Sequence, residues 1–397
     1  SLHDALPILV GGALAGAFGA RLAGRPPPLC LDAEQRLAGV WDRERQQAAR
    51  AAVEAAAGSD ASELWPRIAR GLDEYTAKWA AMYTEACTAT HSRGEQSQHV
   101  LDLRMRCLGR RLQDISAFTA ILRTANRETA EHAVLAISEF PPLGSCADIE
   151  ALSAAQPPPE ERARRAEVER LYRRLSELWA QERVGHYTQV AKEAVEVAQQ
   201  AARTAYKPLE AEAWLLVGEL ENNTEKGRPP SDALFRAALA GIAGHNLRIA
   251  AQAFTLLAAG AAVEEDYKSA RSDEQLASAA LAAVGGDDEI TARLLNATGL
   301  RAMQQQQLDE ALRLFREALA LRERWPALYK DFRHYCHQQN PKPGTLWLWQ
   351  GVDQQGRHWR IANLFTQKAA YGHGSRPGAA SLEHVNAALR AFHRAIE

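Results

Sequence analysis

Residues 294–321 read LLNATGLRAMQQQQLDEALRLFREALAL. The polar run Gln304 to Gln307 separates two segments, and after it Leu308, Ala311, Leu312, Phe315, Ala318 and Leu319 recur at the three- and four-residue steps of an amphipathic helix. Small residues at Gly299 and Ala311 let two such helices approach closely, and Phe315 is expected to fill the space between neighbouring hairpins, with Ala318 on the same packing face. Outward from this stretch the pattern recurs. Turn points fall at Gly185-His186-Tyr187, Gly227-Arg228-Pro229, Asp266-Tyr267 and Gln307-Leu308, so Tyr187, Pro229, Tyr267 and Leu308 follow one another at steps of roughly 40 residues. A period in that range means stacked helical hairpins.

The unit at 294–321 resembles the tetratricopeptide pattern, and residues 157–322 are expected to form such a solenoid, with Tyr187 as a further packing residue. A generic helical bundle is the competing reading. Upstream, over 29–156, the spacing is helical as well. Leu64, Ile68, Leu72, Tyr75, Trp79 and Met82 make one stripe, and Leu101, Met105, Leu108, Leu112, Ile115, Phe118 and Leu122 make another. These predict core faces of long antiparallel helices joined through His91 to Ser97, with Gly94 in the turn. A helix near Glu128 to Glu139 ends at Pro141-Pro142, and Pro157 to Pro159 mark the next boundary. The fold class expected is therefore mainly α.

Beyond Arg324 the character changes. Residues 325–397 hold six of twelve His and four of nine Trp. LWLW (Leu346 to Trp349) and HWRIANLF (His358 to Phe365) alternate as strands do, joined by GVDQQGR, and a polar loop leads to a last helix from Ser381 to Ile396. Strand, strand, helix suits an α/β segment, and the stretch from 325 to 397 is too short to complete one.

The other end carries SLHDALPI, residues 1–8, which resembles a translated sequencing adapter and is set aside from fold reasoning. Ile8 to Gly24 follows, apolar except for Arg21 and just short of the roughly 20 residues that cross a bilayer. A truncated transmembrane helix is the favoured reading of 8–24 and a signal-peptide core the second. Cys30, Cys87, Cys107 and Cys146 lie in the first third of the chain. They fit two disulfides in an oxidising compartment or, equally, buried free thiols, with no pairing deducible.

Composition excludes several classes. A formal net charge of −2 and 24% charged residues offer no basic stripe for nucleic acid. No glycine-rich dinucleotide fingerprint, phosphate loop or His-Glu-x-x-His occurs, and none of the protein-kinase signature set is present. His334, Cys336 and His337 share a helical turn, but no second close ligand pair exists, so no metal site and no cofactor is expected.

Two resemblances carry the functional expectation. CLDAEQRLAGVWDRERQQ (Cys30 to Gln47), LWPRIARGLDEYTAKWAAMYTEACTAT (Leu64 to Thr90) and GEQSQHVLDLRMRCLGRRL (Gly94 to Leu112) are similar to the region that follows the membrane helix in a group of bacterial serine/threonine protein kinases. FPPLGSCAD (Phe140 to Asp148) and the repeats continue that likeness. It implies a sensory or partner-binding region that takes a protein or peptide on its repeat surface, single-pass in a membrane with the repeats extracytoplasmic, and no kinase residue. WPALYKDFRHYCHQQNPKPGTLWLW (Trp325 to Trp349) and IANLFTQKAAYGHGSRPGAASLEHVNAALRAF (Ile361 to Phe392) resemble the middle of bacterial macro domains, which bind ADP-ribose and sometimes hydrolyse its conjugates. The alternative function this implies is ADP-ribose binding or ADP-ribosyl hydrolysis, expected to be incomplete here, with Thr366, Gln367, Gly372 and Gly374 edging the site. Together the likenesses suggest a chimeric reading frame with its seam between about Leu321 and Trp325. No enzymatic activity is expected of the chain itself.

Overall fold

The computed structural model describes Cys30, residues 32–224 and 232–318, two strands, and residues 385, 387, 389 and 390. These are mainly α-helical, and the chain divides into one compact unit of residues 1–225 and 239–246 and another of residues 226–238 and 247–397.

The first unit contains α1 (Ala33–Arg36), α2 (Arg43–Ala57), α3 (Ala61–His91), α4 (Gln98–Leu122), α5 (Arg127–Ser138), α6 (Ile149–Ala154), α7 (Arg162–Arg183), α8 (Tyr187–Arg203) and α9 (Lys207–Thr224). Short polar side chains fix where several helices begin. Asp42, Ser97, Asn126 and Asp148 each accept a hydrogen bond from the backbone N–H three residues on, at 2.8–3.3 Å, covering a donor that the first turn leaves unpaired. The apolar stripes of α3 and α4 then turn inward, with Ile68, Leu72 and Trp79 packed against the face carrying Leu108, Ile115, Phe118 and Leu122. Phe140 stands edge-on to both Tyr75 and Phe118, at 5.1 and 5.2 Å between ring centroids. The core's polar tips are satisfied: Trp79 Nε1 donates to the Leu108 carbonyl, Trp41 Nε1 to Asp73, Tyr75 Oη to the Pro141 carbonyl and Thr119 Oγ1 to the Val40 carbonyl.

The helix α10 (Asp232–Ala243) has residues in both units. The second unit continues with α11 (Leu247–Val263), α12 (Tyr267–Ala283), α13 (Asp288–Gln304) and α14 (Leu308–Ala318), and carries β1 (Leu346–Val352) and β2 (His358–Leu364). The strands pair antiparallel, Leu346 opposite Leu364 through Val352 opposite His358.

Tight turns of three residues close α7 onto α8, α11 onto α12 and α13 onto α14. The helices that start at Lys207, Leu247 and Asp288 succeed one another at intervals of about 40 residues. One backbone device ends five of these helices. Gly185, His245, Glu265, Gly285 and Gln306 all have positive φ, and each donates its N–H to the carbonyl three residues back while the next residue donates to the carbonyl five back, at 2.8–3.2 Å. This pair of bonds satisfies carbonyls that a helix end would leave unpaired, and it reverses the chain sharply. Three of the five positions are not glycine, although a side chain there is strained.

One expectation is corrected. Among the described residues no helix is long and apolar enough to cross a membrane, which overturns the single-pass membrane assignment and the localisation built on it. The reason is composition: α3, at 31 residues, carries Glu63, Arg67, Arg70, Asp73, Glu74, Lys78 and Glu85, while the strongly apolar α11 has only 17. Residues 8–24 lie outside the described residues.

Candidate interaction surface

The structure joins Cys30 to Cys87 and Cys107 to Cys146, each with a Cα separation of 5.4 Å. The first ties the segment before α1 to the last turns of α3; the second ties α4 to the short turn at Leu143–Cys146 that follows α5. The second lies against the cluster of Trp79, Tyr83, Leu108 and Leu143.

Among the repeat-packing residues, Gly299 and Phe315 meet directly. A Cβ built on Gly299 would stand 2.6 Å from Phe315 Cε1, so the ring of α14 lies on the bare backbone of α13. Phe315 thus packs within its own hairpin, beside Leu295, Ala302, Leu314 and the buried Ala311. Ala318 is half-buried at the end of α14, and Tyr187 is half-buried as the first residue of α8. The predicted turn at Pro229, the His334, Cys336 and His337 group, and Thr366, Gln367, Gly372 and Gly374 fall outside the described residues. Among the described residues no group of three or more His, Cys, Asp or Glu could hold a metal ion.

The exposed faces of α7 and α8 enclose an open groove of about 510 Å³, lined by Arg170, Arg173, Arg174, Glu177, Glu193 and Gln200 among others. Arg174 is bonded to Glu193 and Glu177, and Arg170 to Glu167 at 2.6 Å and Gln200 at 3.0 Å. The bond from the Arg174 guanidinium holds the Glu193 carboxyl below its ordinary value. Arg173 is exposed and forms no ion pair among the described residues. Ion pairs this accessible contribute little to stability.

A second polar group sits deeper, where α5, α7, α8 and α9 converge. Glu182, in the last turn of α7, is 8% exposed and accepts one hydrogen bond, from Asn223 Nδ2 at 3.1 Å. Burial, with Glu219 next to it, pushes its carboxyl up to about 7. A Cβ on Gly185 would lie 3.1 Å from Glu128 Oε1 and 3.5 Å from His132 Cε1, so the α7–α8 turn presses on the start of α5. His186 Nε2 lies 3.4 Å from Thr129 Oγ1 in the same place. Burial and the carboxylates Glu182, Glu139, Glu128 and Glu219 push the Tyr187 hydroxyl up as well.

Sequence reading passed over this junction, yet a signal was there. Leu171, Leu175, Leu178 and Glu182 step by four, three and four, so Glu182 occupies a place on the apolar stripe. The same holds for Glu274 after Ala270 and for Arg301 after Leu294 and Ala297. These two are bonded to each other, Arg301 Nε to Glu274 Oε1 at 2.7 Å and Arg301 Nη2 to Glu274 Oε2 at 3.1 Å. A further charged contact is made by Arg110 of α4, which lies off that helix's apolar stripe. It lies 3.3 Å from the centroid of the Tyr172 ring and bonds Glu212 of α9 at 2.7 Å.

No protein-family model, curated protein or solved structure matches the chain.

Proposed function

We propose that the chain is a non-catalytic interaction module, a helical bundle followed by tetratricopeptide-like hairpins, of the kind that accompanies bacterial serine/threonine protein kinases as a sensory or partner-binding region. The observation that carries this reading is the helix–turn–helix unit repeating about every 40 residues with one turn geometry. Stacked hairpins present extended surface from many short elements, which suits recognition of peptides and protein segments. The charged groove along α7 and α8 is the place for a partner segment of mixed charge, because its ion pairs are exposed and Arg173 has none to give up.

The test is to pan a random-peptide library on the full chain and titrate selected peptides by calorimetry against the chain and against Arg173→Glu. Enrichment of sequences with Kd on the order of micromolar, weakened tenfold or more by the substitution, is the expected result, a loss of about 1.4 kcal/mol. Failure to enrich any sequence above background would refute the module reading.

A further inference from the structure

The convergence around Glu182 gathers titratable side chains from several elements. Four elements contribute to it. From α5 come Glu128 and His132, with Glu139 just past the helix end; α7 supplies Glu182 and Arg183; the turn and α8 supply His186 and Tyr187; α9 supplies Glu219 and Asn223. On the α4 side the charged groups are Arg111 and Asp114, bonded to each other at 3.1 Å, with Asp114 also accepting from Ser176 at 2.6 Å. Among the described residues no cation bonds Glu182. The nearest, Arg183, has its guanidinium 5.5 Å from the Trp179 ring centroid and 5.8 Å from that of Phe140. The His132 ring has Nδ1 2.8 Å from the Glu128 carbonyl oxygen. An ionised Glu182 would therefore be a buried anion held by one neutral amide and surrounded by carboxylates, an arrangement that opposes ionisation strongly.

We propose that this junction is a proton-operated clamp: with Glu182 protonated, the ends of α7 and α9 stay docked against α5, and with Glu182 ionised they loosen. The sign follows from linkage. The docked carboxyl titrates at about 7 and an exposed one at 4.5, so the docked state binds the proton more tightly. Docking is strongest in acid, weakens as pH rises from the exposed value through the docked one, and is level beyond that. Between pH 6 and pH 8 the opening equilibrium should rise about tenfold, given those two values. The clamp works whatever the hairpins bind.

The experiment is amide hydrogen exchange of the full chain at pH 6 and pH 8, corrected for intrinsic exchange rates, read on residues 180–188 and 219–224. The expected result is an opening equilibrium about tenfold larger at pH 8. Glu182→Gln should reduce that change to less than twofold, whereas His186→Gln should keep it. An equal pH response in wild type and Glu182→Gln would overturn the proposal, as would its loss in His186→Gln. If Glu182→Gln does not fold, Glu219→Gln serves instead. Removing that neighbouring carboxylate must move the midpoint of the response to lower pH, and an unmoved midpoint overturns the clamp.

Discussion

Arg301→Met isolates the effect of one buried ion pair on hairpin stacking. The Arg301 and Glu274 side chains are 7% and 10% exposed, and the guanidinium meets the carboxylate through two parallel bonds while also bonding Gln305 at 2.9 Å. Their helices, α13 and α12, belong to successive hairpins, so the pair lies on a seam. Taking away the guanidinium strands a carboxylate in the interior, which costs about 3–5 kcal/mol. At about 1.4 kcal/mol per decade, that is two to three and a half decades in the equilibrium for local opening.

The measurement is native-state hydrogen exchange over residues 267–304 for wild type, Arg301→Met, Glu274→Leu and the double variant. Each single change should lower protection across α12 and α13 by roughly a hundredfold or more. The double change should recover to within about 1–2 kcal/mol of wild type, because two apolar side chains of similar bulk replace a pair whose desolvation nearly cancels its attraction. If Arg301→Met loses less than about 1 kcal/mol, or if the double variant is as weak as either single one, then the charges are not coupled and the reasoning fails.

Other consequences can be checked on the same chain. Gln306→Gly relieves a side chain held at φ +59° and should raise stability by about 0.5–1 kcal/mol in thermal unfolding, with Gly285→Ala at φ +74° doing the reverse. Gly299→Ala places a methyl where the Phe315 ring now lies and should cost about 1–3 kcal/mol, with Phe315→Leu restoring most of it. Each disulfide closes a separate loop, with sequence separations of 57 and 39, and chain entropy gives about 4 kcal/mol for either, read as the loss in urea unfolding on Cys30→Ala/Cys87→Ala or Cys107→Ala/Cys146→Ala. Peptide mapping without reductant should recover the two pairs as cross-linked peptides, and any other pairing refutes the connectivity.

Helix positions were legible because period and punctuation agree. The α3 and α4 stripes, the Gly94 turn, and second helices opening at Tyr187, Tyr267 and Leu308 follow from spacing and turn residues alone. The αL positions at His245, Glu265 and Gln306 were not legible, since nothing local marks them; helix geometry imposes the conformation there and the side chain tolerates it. Cysteine pairing was open for the same kind of reason, because it depends on which helix ends come within reach of each other. Gly299 and Phe315 were read as packing residues, but that the ring rests on its own hairpin is a matter of side-chain direction that spacing does not give. The groove of the candidate surface was not legible, since it needs α8 alongside α7.

Around Arg301 and Glu274 many of the buried side chains are small. Beside Ile249, Phe254 and Leu257, α11 buries Ala250, Ala251, Ala253, Ala258, Ala261 and Ala262, and α12 presents Ala270, Ala277 and Ala280. Small side chains let helices approach closely, but an alanine surface looks much the same after a shift of one turn, so it leaves register weakly specified. A fork of two bonds between Arg301 and Glu274 exists at one register only, and sliding by a single helical turn would strand both charges. Arg110 with Glu212, between α4 and α9 and with side chains 24% and 21% exposed, imposes a similar restriction in the first unit. Glu182 differs from these in having a neutral partner and acidic neighbours. A charge pair sets register wherever its carboxylate stays ionised, whereas a buried carboxyl with a neutral partner and acidic neighbours favours its protonated form, which is why this position suits the proposed clamp.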